Sequence, residues 1–335
     1  MRNRSRVIIA GVFAAASAAQ AADAPDQSLF FGLENDIFAG TDNHYTNGVR
    51  LEYTSAPGDV PALVEPLRDA IAPLYGEGVE WRSVWGIGQG MYVPYGIGRR
   101  HPPRRNRPYA GWLYGYYGLA AARAGALDII RADIGVLGPP SLAEPIQKEL
   151  HEQIGSPRPA GWDSQIETHP TVALSYQRVQ RFRHEEEIAG APARAEFLPH
   201  MRLTLGNVDT YAAAGFTFRA SWNGADDFGP ATRLRGHSGG GIAAPADGAG
   251  FSVFAGAEGR AYAHSGLIEG PFFGQGRPAE PENLTGHVMF GAAVSYGSAE
   301  LSYTHVVQAK EYKAQKSTNP WGAHQFGALN LRVGF

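Results

Sequence analysis

The sequence has no cysteine, which excludes a disulfide framework, a zinc–thiolate centre and a cysteine nucleophile. It is poor in charge, with Asp, Glu, Lys and Arg at 18% of its 335 residues. A formal net charge of -3 gives no basic surplus, so nucleic acid is not a predicted partner. Beyond the N-terminus no apolar run approaches the roughly 20 residues that a membrane-spanning helix needs. What the chain has instead is 43 glycines, 15 tyrosines and 44% hydrophobic residues, the profile of a strand-rich protein with many turns.

The N-terminus carries Arg2, Arg4 and Arg6, then an Ala-rich apolar run from Val7 to Ala19. Ala19-Gln20-Ala21 fits a small-x-small cleavage site. Residues 1–21 are therefore predicted to be a signal peptide, and residues 22–335 the mature domain. Loss of three arginines leaves the mature chain at roughly -6.

Alternation with period two recurs along the mature chain. Val49, Leu51 and Tyr53 alternate with Arg50, Glu52 and Thr54. Ile130, Ala132, Ile134 and Val136 alternate with Arg131, Asp133 and Gly135. Ala299, Leu301 and Tyr303 alternate with Glu300, Ser302 and Thr304, and Leu329, Leu331, Val333 and Phe335 with Asn330, Arg332 and Gly334. This is the signature of strands with one apolar and one polar face. Strands are predicted near 28–38, 46–55, 80–92, 110–124, 127–138, 168–182, 195–208, 211–222, 250–263, 285–296, 299–307 and 326–335. That makes about twelve, an even number as in bacterial outer-membrane barrels. A soluble sandwich would alternate too, but charges repeat on the non-apolar face of strand after strand. Lipid outside and a polar lumen inside account for that. The closing strand, with Phe335 in phase with its apolar face, resembles the assembly signal of outer-membrane proteins. The predicted fold is an all-β transmembrane antiparallel barrel in the Gram-negative outer membrane.

With both ends in the periplasm, the segments near 39–45, 93–109, 139–167, 209–210, 264–284 and 308–325 lie outside the cell. The periplasmic segment 56–79 carries Leu63, Leu67, Ile71 and Leu74 at helical spacing and predicts a short packed helix. The external segment 141–154 predicts another, capped by Ser141 with Glu144 completing a capping box. On it, Gln147 and His151 are four residues apart and share a face. Gly236-His237-Ser238-Gly239-Gly240 fits G-x-S-x-G, but a nucleophile elbow needs a strand before it and a helix after it, and here a Gly-rich stretch follows.

Glu34-Asn35-Asp36-Ile37-Phe38, Thr41-Asp42, Tyr45-Thr46-Asn47-Gly48, Asp133 to Pro139, Gln147-x-x-x-His151 and Gly161-Trp162-Asp163-x-Gln165-Ile166 follow one another in order. This ordered set resembles the outer-membrane lipid A 3'-O-deacylase family over most of the mature chain. The resemblance implies a twelve-stranded barrel, one Ca2+ ion and hydrolysis of the ester-linked 3'-acyl group of lipid A in the outer leaflet, with lipopolysaccharide as the partner. It assigns His151 as general base, Asp36 as calcium ligand, and Asn35, Thr46 and Gln147 as site residues. The family's acid shortly after the histidine is missing, because Gly155-Ser156-Pro157 stands there. Glu152, Asp163 or a different ligand set would have to replace it.

The chemistry is self-consistent. A neutral imidazole can activate water near neutral pH, and a hard cation can polarise an ester carbonyl. The external run from Arg99 to Arg107 carries five arginines, of which Arg104, Arg105 and Arg107 are assigned to the lipid phosphates. Two other readings compete: a non-enzymatic pore or structural barrel, and an outer-membrane phospholipase.

Overall fold

A computed structural model describes residues 26–40, 44–229, 246–272, 279–316 and 322–335. The predicted signal peptide, Thr41-Asp42 and the G-x-S-x-G segment lie outside these residues. The strands are β1 (Ser28–Asn35), β2 (His44–Thr54), β3 (Glu80–Val93), β4 (Ala110–Arg123), β5 (Ala126–Leu137), β6 (His169–Gln180) and β7 (Phe182–Ile188). They continue with β8 (Ala191–Gly206), β9 (Asp209–Trp222), β10 (Ala246–Ser265), β11 (Leu284–Gly297), β12 (Ala299–Gln308) and β13 (His324–Gly334). Helices are few: α1 (Glu65–Ile71), α2 (Ala143–Ile154) and α3 (Gly266–Glu269).

Each strand pairs antiparallel with its sequence neighbour, apart from β6 with β7. Closure comes from two further seams. β1 meets β13, from Ser28 opposite Gly334 to Asn35 opposite Gly327. β6 meets β8, from Ala173 opposite Gly206 to Val179 opposite His200. The result is the predicted closed antiparallel barrel of twelve strands. β7 is the departure: residues 183–188, outside every strand predicted from the sequence, belong to a short strand that pairs with the first half of β8 and stands outside the ring.

The pattern of burial is inverted relative to a water-soluble protein. Leu51, Trp85, Ile134, Leu174, Leu203, Phe218, Val253 and Phe290 are exposed around the outer wall. Arg50, Glu52, Asp133, Glu196, Arg219, Glu258 and Arg260 are buried inside. In water such an apolar wall would drive association, whereas in a bilayer it faces its proper solvent. The interior charges are paired. Arg50 lies 3.8 Å from Glu52, which also accepts from the Tyr116 hydroxyl at 2.6 Å. Arg260 and His200 flank Glu258 at 2.6 and 3.2 Å. Glycine and tyrosine are coupled here. A Cβ on Gly86 or Gly88 would strike the rings of Tyr116 or Tyr114, so these glycines let β4 tyrosines lie flat across β3.

Two expectations are corrected. The apolar side chains of α1 and its flanks do not pack: Leu63, Leu67 and Leu74 are exposed. At seven residues α1 makes only two turns, and of the four predicted positions Ile71 alone is half-buried. Ser141 is not the helix cap either. It ends a 3-10 turn, donates to the Gly138 carbonyl at 2.6 Å, and leaves the cap position to Leu142 in a left-handed conformation. Glu144 pairs with Lys148 one turn on.

Candidate active site

At the outer rim β1 ends in Asn35, whose backbone is still extended. Its side-chain oxygen accepts from the Ile37 amide at 2.8 Å and starts a 3-10 turn over Asp36–Ala39. Gly40 closes that turn in the left-handed region, at φ 69°. The turn folds Asp36 inward, where it is buried. Across the seam Asn35 faces Asn47. The β2–β3 register slips between Tyr45 and Asn47, so Thr46 is the extra residue of a bulge. Bulges re-aim side chains, and here the Thr46 hydroxyl donates to Asp36 Oδ2 at 3.2 Å.

The other wall is α2. Its buried residues are Ala143, Gln147 and His151, one four-residue stripe turned toward the barrel rim. Ala143 sits where a side chain on Gly111 of β4 would collide with it. Gly155, at φ 73°, ends the helix by donating to the His151 carbonyl, and Ser156 donates to that carbonyl at 2.9 Å. The reversal brings the Pro157 carbonyl to 2.7 Å from His151 Nδ1. A carbonyl can only accept, so Nδ1 carries the proton and Nε2 keeps its lone pair. Further on, the Trp162 indole N–H donates to Gln147 Oε1 at 2.7 Å. Trp162 packs with Met91, Val93, Ile97, Tyr109 and Ala143, a rigid block beneath the helix.

The two walls enclose a cleft of ≈ 370 Å³. Asn35, Asp36, Thr46, Gln147 and His151 all border it, so the structure brings together the five residues assigned to chemistry or metal binding. The cleft also draws on residues to which the sequence assigned no role: Ile37, Asn47 and Ser156 from the quoted motifs, and Met91, Leu150 and Ile154 from outside them. Leu150 and Ile154 lie three and seven positions after Gln147, so helical spacing could have found them.

The acid question is answered in part. Asp36 is the one carboxylate bordering the cleft among the described residues. Glu152 is exposed and outside it. Asp163 is also outside it, 3.3 Å from the Arg100 guanidinium. Among the described residues no three His, Cys, Asp or Glu gather into a metal cluster.

The arginine run divides. Arg99, Arg100, Arg104 and Arg105 are exposed. Arg107, expected to face phosphate, is buried at 1% exposure, 3.1 Å from Glu311 and over the Tyr92 ring. It ties two external loops together instead. Tyr312 on the second loop donates to Asn106 at 2.6 Å, and burial pushes its hydroxyl pKa up. None of the four borders the cleft, but Ala160 donates to the Ile97 carbonyl at 2.9 Å and joins their loop to the segment after His151.

Comparison with known proteins agrees with this architecture. The solved structure of LpxR from Salmonella typhimurium superposes with a TM-score of 0.71 at 19% identity, over 92% of this chain and 100% of that one. The β domain of the Bordetella autotransporter BrkA is more distant, with a TM-score of 0.41 at 11% identity over 94% of this chain and 100% of that one. No curated protein sequence matches the chain. The family model described as outer membrane protein LpxR matches residues 7–335, and the chain belongs to that family of outer-membrane barrels.

Proposed function

We propose that the protein is a lipid A 3'-O-deacylase, a carboxylic ester hydrolase acting on lipopolysaccharide in the outer leaflet. The observation that carries this reading is the 2.7 Å contact between His151 Nδ1 and the Pro157 carbonyl at the edge of the cleft. With Nδ1 committed to the Pro157 carbonyl, the neutral ring offers Nε2 as its base, and His151 borders a cleft that Asp36 and Thr46 also line. The cleft lies at the rim of a membrane barrel, and two of its walls, Ile37 and Ile154, are half-exposed apolar residues. An acyl chain rising from the leaflet meets them without leaving an apolar surface.

In the reaction a water oxygen attacks the acyl carbonyl carbon while its proton passes to His151 Nε2. The carbonyl π pair moves to oxygen. Collapse of the tetrahedral intermediate breaks the bond to the sugar oxygen, which takes the proton from His151. The products are a fatty acid and a free hydroxyl. Arg104 and Arg105, exposed on the external loop joined to the segment after His151, would supply positive charge for the headgroup phosphates.

The oxygen donors suit a hard cation held with modest affinity. Asp36 would be its charged ligand, and Asn35 and Thr46 line the same cleft. With a single carboxylate, the fit is to a Ca2+ site working at about 10⁻⁴–10⁻³ M. When bound, the ion would polarise the ester carbonyl.

The test is mass spectrometry of lipid A from Gram-negative cells producing the protein, with and without a chelator. The expected result is a calcium-dependent loss matching the 3'-linked acyl group. Unchanged lipid A with the protein confirmed in the membrane overturns the reading. Fatty acid release from glycerophospholipid under the same conditions would reassign it as a phospholipase.

A further inference from the structure

Gln147 carries an unfinished hydrogen-bond set. It is 1% exposed, and its Nε2 has no hydrogen-bond partner among the described residues. Buried donors are nearly always paired, and one left alone is destabilising. Its orientation is fixed by chemistry. The indole N–H of Trp162 can only donate, so the amide atom 2.7 Å from it is the oxygen, and Nε2 is the atom turned elsewhere. Trp162 lies in the rigid block under the helix, while the open space bordered by Gln147 is the cleft that holds His151. Gln147 and His151 lie one turn apart on the same buried stripe of α2. The amide that borders this cleft therefore keeps a pair of N–H bonds turned away from Trp162 and without a partner among the described residues.

This matters more here because the cleft is short of charge. Asp36 is its one carboxylate among the described residues, which limits how firmly a cation can be held to meet the negative charge that develops on the carbonyl oxygen. We propose that Gln147 Nε2 is an oxyanion donor of this enzyme and that Trp162 is the positioning residue that holds the amide with its donor toward the substrate. The inference rests on the deacylase reading. Hydrogen bonds aimed at a developing oxyanion, and pre-set before the reaction, are among the strongest sources of catalysis, and removing one costs about 10²–10³ in kcat.

The experiment measures fatty acid release from lipid A micelles by the purified full chain and four variants. These are Gln147→Ala, Gln147→Glu, Trp162→Phe and the double variant Gln147→Ala/Trp162→Phe. Gln147→Glu keeps an acceptor for the indole but has no donor. Both single changes at Gln147 should lower kcat by about 10²–10³ with KM little changed. Trp162→Phe keeps the ring packing but frees the amide to turn, and should lower kcat by about tenfold. In the Gln147→Ala background the same Trp162→Phe change should have no further effect, because it acts only through the amide. A purely packing role would make the two losses multiply. Barrel folding is followed separately by the shift in gel mobility on heating, which should match wild type in all four. Wild-type kcat in Gln147→Ala, or multiplying losses in the double variant, overturns this inference and leaves the deacylase reading intact. A wild-type protein that releases no fatty acid overturns both.

Discussion

At the scale of single residues the cleft is shaped by polar atoms committed to structure. His151 gives Nδ1 to Pro157 and keeps Nε2. Asn35 spends its oxygen on the Ile37 amide and thereby turns Asp36 inward. His151→Ala should lower kcat by about 10²–10⁴ while the barrel keeps its heat-dependent gel mobility. Full activity in that variant would remove His151 as the base. Asp36 makes a different prediction, about binding. Replacing it by Asn removes the charged ligand but keeps the shape, so Ca2+ affinity measured by isothermal titration should fall below detection. Undiminished binding by Asp36→Asn would move the ion elsewhere. These residues were legible in the sequence because they cluster in short ordered motifs. Thr46 shows the limit. Its motif was visible, but the bulge that turns its hydroxyl onto Asp36 depends on a pairing register that no local pattern states. Arg107 shows the opposite failure. A run of arginines looks uniform in sequence, yet Glu311, some two hundred positions away, takes one of them into the interior.

At the scale of elements, α2 and the turn after it form one unit. Gly155 is at φ 73°, where a Cβ is strained although nothing stands within 4 Å of it. Gly155→Ala should therefore cost about 1 kcal/mol of local stability. It should also lower kcat through His151, because the same reversal delivers the Pro157 carbonyl. A matching shift in the pH profile of kcat would show the imidazole released, and an unchanged profile would confine the effect to stability. At the opposite end, β7 was not legible, since Phe182 to Ile188 is charged and nearly all exposed. Its reason is electrostatic. Arg183 Nη1 meets Asp226 at 3.1 Å and Arg181 meets it at 2.6 Å, pinning the segment after β9. Burial opposes the Asp226 charge, but these arginines hold its pKa down at about 2. A folded value below the unfolded one, near 3.9, stabilises above that unfolded value and fades as pH falls toward 2. Limited proteolysis of this segment should accelerate between about pH 4 and 2 in wild type, and Asp226→Asn should flatten that dependence.

At the scale of the whole molecule the barrel form was readable because one rule, alternation, repeats on every ring strand and each violation would put a charge into lipid. What alternation does not state is whether the lumen is open. A ring of twelve strands falls between small filled barrels and wide porins, so the contents decide. Here they close it. The segment after β9 folds back into the periplasmic mouth, burying Ala225, Asp227 and Phe228. Asp227 is paired with Arg219, which also meets Glu196 at 2.6 Å, and Phe228 joins the apolar cluster of Val179 and Leu198. Higher up, the Arg50–Glu52 and Glu258–Arg260 pairs and the tyrosines of β4 occupy the interior. At the outer mouth Tyr45 packs against Tyr92 and Phe326. On the proposed deacylase reading the rim cleft depends on a firm wall, since Ala143 of α2 rests against Gly111 of β4. Reconstituted in a planar bilayer, the wild-type protein should therefore carry no steady current. Asp227→Asn weakens the hold of Arg219 on the plug and should produce intermittent conductance steps, with deacylation at the far rim unchanged. Steady ohmic conductance in wild type would instead favour the pore reading over the enzyme.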